Sequence, residues 1–148
     1  MIVPDDSLSR RIAATIAAYY AATRAMDVEA WVGAFAANAV AFNPVGATPT
    51  AGHHGLRELW ASLSCSLDHL GLSEDCVFVA DGAAAVKWSG HGVGWTGRPV
   101  VFEGIDVFEI DDHGKISTLW SYWDPAVLRS QLRQQTASRA DGNGTEMR

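Results

Sequence analysis

The chain has 148 residues, 48% of them hydrophobic and 19% charged, which suits one compact domain with ample core. Lys and Arg number 11 against 17 Asp and Glu, a net charge of −6 with no basic stripe or arginine-rich run, so nucleic acid is excluded as a partner. Cys65 and Cys76 are the 2 cysteines, and their spacing matches no zinc pattern and implies no disulfide framework, so neither a metal nor a cofactor is expected.

At the N-terminus, "IAATIAAYYAATRA" follows Arg10 and Arg11, but Asp5 and Asp6 spoil the positive leader that a secretory signal needs. No apolar run reaches the length that spans a bilayer, and the reading is a cytoplasmic protein with no membrane partner. Ile12, Ile16, Tyr19 and Thr23 share one helical face, which predicts a first helix over 7–24. Asp27 is a plausible N-cap, and Val28, Trp31, Val32 and Phe35 carry a second helix as far as Asn38. "AVAFNPVG" then reads as a brief strand stopped by Pro44, with Asn43 at its end.

"AGHHG" introduces a third helix carrying Leu56, Leu59, Trp60, Leu63 and Leu67, with His53 and His54 in the leading turn. From about residue 74 the period changes to two, predicting strands over 75–80, 83–95, 99–110 and 115–123 with turns at Asp81-Gly82, Thr96-Gly97 and Asp111 to Gly114. "WDPAVL" suits an N-cap and first turn of a short terminal helix. The fold class is α+β: a curved, mostly antiparallel sheet forming a cone around three N-terminal helices. One domain covers 1–132, and the polar tail 133–148 lacks apolar periodicity and is expected to be disordered.

In "VVFEGIDVFEI" Asp106 alternates with Phe102 and Phe108, while Glu103 and Glu109 take the other face. A carboxylate on an apolar face loses hydration, which raises its pKa. It is either a structural acid satisfied by a buried hydroxyl or backbone donor, or a neutral acid kept as a hydrogen-bond donor. Tyr19, on the buried face of the first helix, is core filler taken alone. Taken with Asp106, it makes a pair of acidic donors fit to hold a developing enolate.

The stretch from Tyr19 through "DVEAWVGAFAANAVAFNPVG", with the later "GIDVFEIDDHGKISTLWSYW", resembles the ketosteroid isomerases and, more broadly, the SnoaL-like proteins of the nuclear-transport-factor-like superfamily, over about residues 8–128. The resemblance implies a cone of curved sheet with a deep apolar pocket, a hydrophobic small-molecule substrate and a homodimer formed through the sheet. Tyr19 matches the family's oxyanion-hole tyrosine and Asp106 its protonated acid, a pair that is a standard illustration of a carboxylic acid kept neutral. The family's general base falls on Asn43, and an amide cannot take and return a proton as a carboxylate does.

Candidates for the missing base are His91, in "AAVKWSGHGVGW", and second to it Asp124, near where some polyketide cyclases of the superfamily carry an acid–base aspartate. Lys87 and Ser89 share the odd positions of that strand with His91, and the resemblance puts them on the pocket wall. Trp60, Phe102, Phe108 and Trp123 complete the expected substrate contacts. The function implied is an isomerase or cyclase acting on a steroid- or polyketide-like carbonyl compound. An epoxide hydrolase or epoxide-opening cyclase using water held by Asn43, as in the limonene-epoxide-hydrolase branch, and a non-catalytic ligand-binding module are the alternatives.

Overall fold

The structure is a computed structural model and describes residues 6–134. The elements run α1 (Asp6–Ala25), α2 (Val28–Gly33), β1 (Phe35–Phe42), β2 (Thr50–Ala51), α3 (Gly52–Ser64), β3 (Leu67–Ala80), β4 (Ala83–Gly94), β5 (Pro99–Ile110) and β6 (Ile116–Tyr122). A helix over 125–134 follows and is called α4. The strands form one curved six-stranded sheet in the order β2-β1-β6-β5-β4-β3, with β1 parallel to β6 and every other pair antiparallel.

Along α1, Ile12, Ile16, Tyr19, Tyr20 and Thr23 are all buried. They pack with Trp31 and Phe35, so the first helix lies on the inner face of the sheet. Long meander strands and a helix-covered inner face give the expected α+β cone. Among the described residues no helix is long and apolar enough to cross a membrane.

Three boundaries differ from the sequence reading. The second helix ends at Gly33, and Phe35 begins a strand rather than a further helical turn. Phe35, Ala39 and Ala41 all face the core, across a register shift against β6 between Phe35 and Val40. Helical spacing and a bulged strand make the same marks over so short a run. The third helix starts earlier, at Gly52, with His53 bonded to the Phe35 carbonyl at 2.9 Å and His54 paired with Glu58.

Strand β3 reaches back to Leu67, which the spacing of leucines places on the third helix, and so begins before the residue 74 at which the period was read to change. The predicted short terminal helix is α4. Residues 133 and 134 of the expected tail belong to it, and residues 135–148 lie outside those described.

Candidate active site

Where β1 and β6 end side by side, two residues with hydrogen-bonding side chains emerge together. Phe42 is in register with Trp120, and Val45 N–H continues the pairing to the Ser121 carbonyl at 2.9 Å. This brings Asn43 beside Trp123, whose indole N–H donates to Asn43 Oδ1 at 2.7 Å. An indole N–H only donates, so the atom it meets must be the amide oxygen. The Asn43 NH2 is the end left over, and it has no hydrogen-bond partner among the described residues.

Asn43 faces a narrow cavity of two adjoining lobes, each of about 50 Å³. Tyr19, Asn43, Leu63, Leu70 and Leu72 line both lobes. Trp88, Phe102, Ser121, Trp123 and Leu128 complete one, and Thr23, Trp31 and Trp60 complete the other. Neither lining contains a carboxylate or an imidazole. Burial, then the charge of Asp106, pushes the Tyr19 phenol well above its ordinary pKa, with the Trp31 side chain pulling slightly the other way. Tyr19 is therefore a neutral O–H donor at any working pH.

Asp106 is 1% exposed and stands behind this wall. Tyr20 Oη donates to its Oδ2 at 2.7 Å, and Ser121 Oγ donates to its Oδ1 at 2.5 Å. The second contact follows from strand pairing, since Asp106 and Ser121 are Cα partners across β5 and β6. Burial raises the carboxyl to about 6, against the opposing pull of Ser121, Tyr20 and Trp88. The Trp88 indole N–H lies near the carboxyl without hydrogen-bonding geometry, and it is a buried donor without a partner.

The expected Tyr19/Asp106 pair does not share one lining: Tyr19 lines the cavity, while Asp106 stands behind it and is held by Tyr20. Both tyrosines fit the buried face of α1: Tyr19 lies seven residues after Ile12, and Tyr20 lies four after Ile16. Their rings meet edge to face at 4.8 Å, with Tyr19 turned to the cavity lining and Tyr20 to the acid. The carboxyl is raised as expected, but a pKa of about 6 leaves it mostly ionised at neutral pH rather than protonated.

Lys87, Ser89 and His91 do not line the cavity. Strand β4 pairs with β5 without a register break from Ala83 to Val93, so its alternation holds throughout. Ala84, Val86, Trp88, Gly90 and Gly92 are buried on the inner face, and the odd positions point outward. The inner glycines are required by neighbours: a Cβ on Gly90 would stand 2.6 Å from the Phe102 ring, and one on Gly92 2.8 Å from the His69 carbonyl. Outside, Lys87 pairs with Asp75 and Glu103 at 3.2 Å, and Ser89 donates to Asp75 at 2.5 Å.

His91 and Asp124 line an open groove of about 640 Å³ on that outer side, with Ser89, Val101, Glu103 and Val127. Asp124 accepts from Ala126 N–H at 2.9 Å, the capping role its sequence context suggested. Of the expected substrate contacts, Trp60 and Trp123 each line one lobe, and Phe102 lines both a lobe and the outer groove. Phe108 is fully buried beneath the two tyrosines, at ring distances of 5.1 and 6.2 Å, and does not line the cavity. Sequence reasoning missed Tyr20, Ser121 and Trp88, although Ser121 alternates with the inward Leu119 and was open to the same parity argument.

A family model described as a SnoaL-like domain matches residues 16–119. Among solved structures, the epoxide hydrolase/cyclase-like enzyme SalBIII of pyran ring formation in the polyether salinomycin superposes with a TM-score of 0.71 at 21% identity, over 78% of this chain and 92% of that one. TerC, co-crystallised with polyporic acid, superposes with a TM-score of 0.72 at 16% identity, over 83% of this chain and 98% of that one. At these identities the two structures speak for the fold.

Proposed function

The chain belongs to the SnoaL-like domain family, and from that premise we propose that it is a small-molecule cyclase acting at an oxygen of a hydrophobic substrate. The observation that carries the reading is the Trp123 to Asn43 hydrogen bond of 2.7 Å. With its oxygen engaged, position 43 offers donors to the cavity where a carboxylate base would offer an acceptor. Tyr19 adds a second donor on the same lining. Two preorganised donors suit an oxygen that gains negative charge as a ring closes, whether an enolate or an opening epoxide.

The aromatic and aliphatic walls supply the apolar contact that such a substrate needs. A four-ring steroid is not the substrate favoured here, since lobes of about 50 Å³ are narrow and position 43 holds no base. The name of the SalBIII structure, which pairs epoxide hydrolase chemistry with pyran ring formation, is consistent with ring closure at oxygen. A homodimer through the outer sheet face belongs to the same reading, supported by the exposed side chains of Val101, Ile105 and Tyr122 there.

The test is calorimetric titration with 4-nitrophenolate, a one-ring anion whose oxygen stands in for the developing charge. Hydrogen bonds to charged groups are worth about 1.5–3 kcal/mol, so Tyr19→Phe should weaken binding about ten- to a hundredfold. Tyr20→Phe, whose hydroxyl is spent on Asp106, should weaken it far less. Equal losses in the two variants would remove Tyr19 from the site.

A further inference from the structure

We propose that Asp106 is the proton acceptor of this cavity and works through the hydroxyl of Ser121, in place of the carboxylate that position 43 lacks. The inference rests on reading the cavity as a substrate site. Ser121 is the hydroxyl that both lines the lobe shared with Tyr19 and Asn43 and hydrogen-bonds Asp106, at 2.5 Å. Tyr20 touches the acid from the far side without lining either lobe. A substrate carbon beside an oxygen held by Tyr19 and Asn43 would therefore face Ser121.

The step balances within these groups. As the C–H bond next to the carbonyl breaks, its proton passes to Ser121 Oγ and the proton of Ser121 passes to Asp106 Oδ1. The electron pair moves into an enolate whose oxygen accepts from Tyr19 O–H and Asn43 N–H. Reversal of the relay returns the proton to the product, so the chain ends unchanged and no further reactant is consumed.

The electrostatics suit the task. A buried carboxyl raised to about 6 is ionised at neutral pH yet far more basic than an exposed aspartate. The titratable groups that face it are Tyr19 and Tyr20 from α1, both pushed upward and so neutral. Strand β4 presents Val86 and Trp88, and β6 presents Ser121. The side chains acting on the carboxyl are Ser121, Tyr20 and Trp88, none of them charged.

The experiment follows deuterium uptake at C2 of cyclohex-3-en-1-one by proton NMR across pH, with binding of the same ketone followed by tryptophan fluorescence. The wild type should exchange above buffer, with a rate that rises through about 6 as Asp106 ionises. Ser121→Ala should lower the rate about 10²–10⁴-fold while the ketone still binds, and Ser121→Thr should restore most of it. Asp106→Asn should abolish the pH limb, and if it fails to fold, the Ser121 pair of variants still decides. Undiminished exchange in Ser121→Ala, or a ketone that binds the wild type without exchanging, would overturn the relay alone. A ketone that does not bind at all would overturn the cavity reading with it.

Discussion

Asp106 gives the clearest physical signature at the scale of single residues. Its folded pKa of about 6 lies above the ordinary 3.8, so the native state keeps a proton that the unfolded chain has released between those values. Stability from this group is therefore fully present below ~3.8 and lost as pH rises through about 6. The gap corresponds to about 3 kcal/mol. Urea unfolding at pH 4 and pH 7 should show wild type losing about that much more than Asp106→Asn over the interval. Parallel pH dependence in the two proteins would mean the acid is not held as described.

Tyr19 and Tyr20 divide stability from binding. Tyr20→Phe strips a donor from a buried carboxylate and should cost about 1–3 kcal/mol in urea unfolding. Tyr19→Phe removes a hydroxyl whose contact is the Trp31 side chain and not a buried carboxylate, and should cost less in unfolding than Tyr20→Phe. The buried acid was legible in the sequence from alternation with Phe102 and Phe108. Its partners were not, because adjacent residues 19 and 20 both satisfy a helical face, and the choice between them is made by the ring packing of Phe108 and Phe35.

Among the elements, the long hairpin strands were legible because period-two alternation runs unbroken between turn residues. The first half of β1, from Phe35, and the start of β3 were not, since short apolar runs satisfy both helix and strand templates. The inside of β4 was legible from its own alternation; the resemblance pointed to the other face and the unbroken β4–β5 register decides for the alternation. Gly104 shows how tightly the inner layer is fitted: a Cβ there would stand 2.5 Å from the Trp88 ring and 2.6 Å from the Tyr122 carbonyl. Gly104→Ala should destabilise by about 1–3 kcal/mol in thermal or urea unfolding, as overpacking does.

Helix α4 is held by apolar packing of Leu128 and Leu132 on the core and by one polar side chain. Strand β6 first meets β5 at Ile105, so the β5 edge before it has no strand partner on that side. Gln131 fills the gap as a strand would, accepting from Val101 N–H at 2.9 Å and donating to the Val101 carbonyl at 2.7 Å. The same helix sets Leu128 into the cavity wall. Gln131→Ala should accelerate hydrogen exchange of the Val101 amide about tenfold, the loss of about 1.4 kcal/mol of local protection.

At the scale of the molecule, the sheet separates two environments that one strand supplies at once. Inward, β5 gives Phe102 and Asp106 to the core and cavity; outward, it shows Val101 and Ile105, with Tyr122 in register beside Ile105. Sedimentation velocity should find a dimer whose dissociation is promoted by Tyr122→Lys, with unchanged circular dichroism. A wild-type monomer at tens of micromolar would remove the outer face from the account.

The central claim is that position 43 is a donor to the substrate oxygen, fixed in that role by Trp123. The most direct measurement is the affinity of 4-nitrophenolate for wild type and Asn43→Asp at pH 8, with nitrobenzene as the neutral control of similar shape. An aspartate there removes the N–H donors and sets a like charge against the phenolate, so binding should fall at least ten- to a hundredfold, on the scale of about 1.5–3 kcal/mol for a bond to a charged group, while nitrobenzene affinity holds. Equal or tighter phenolate binding by Asn43→Asp would contradict the account.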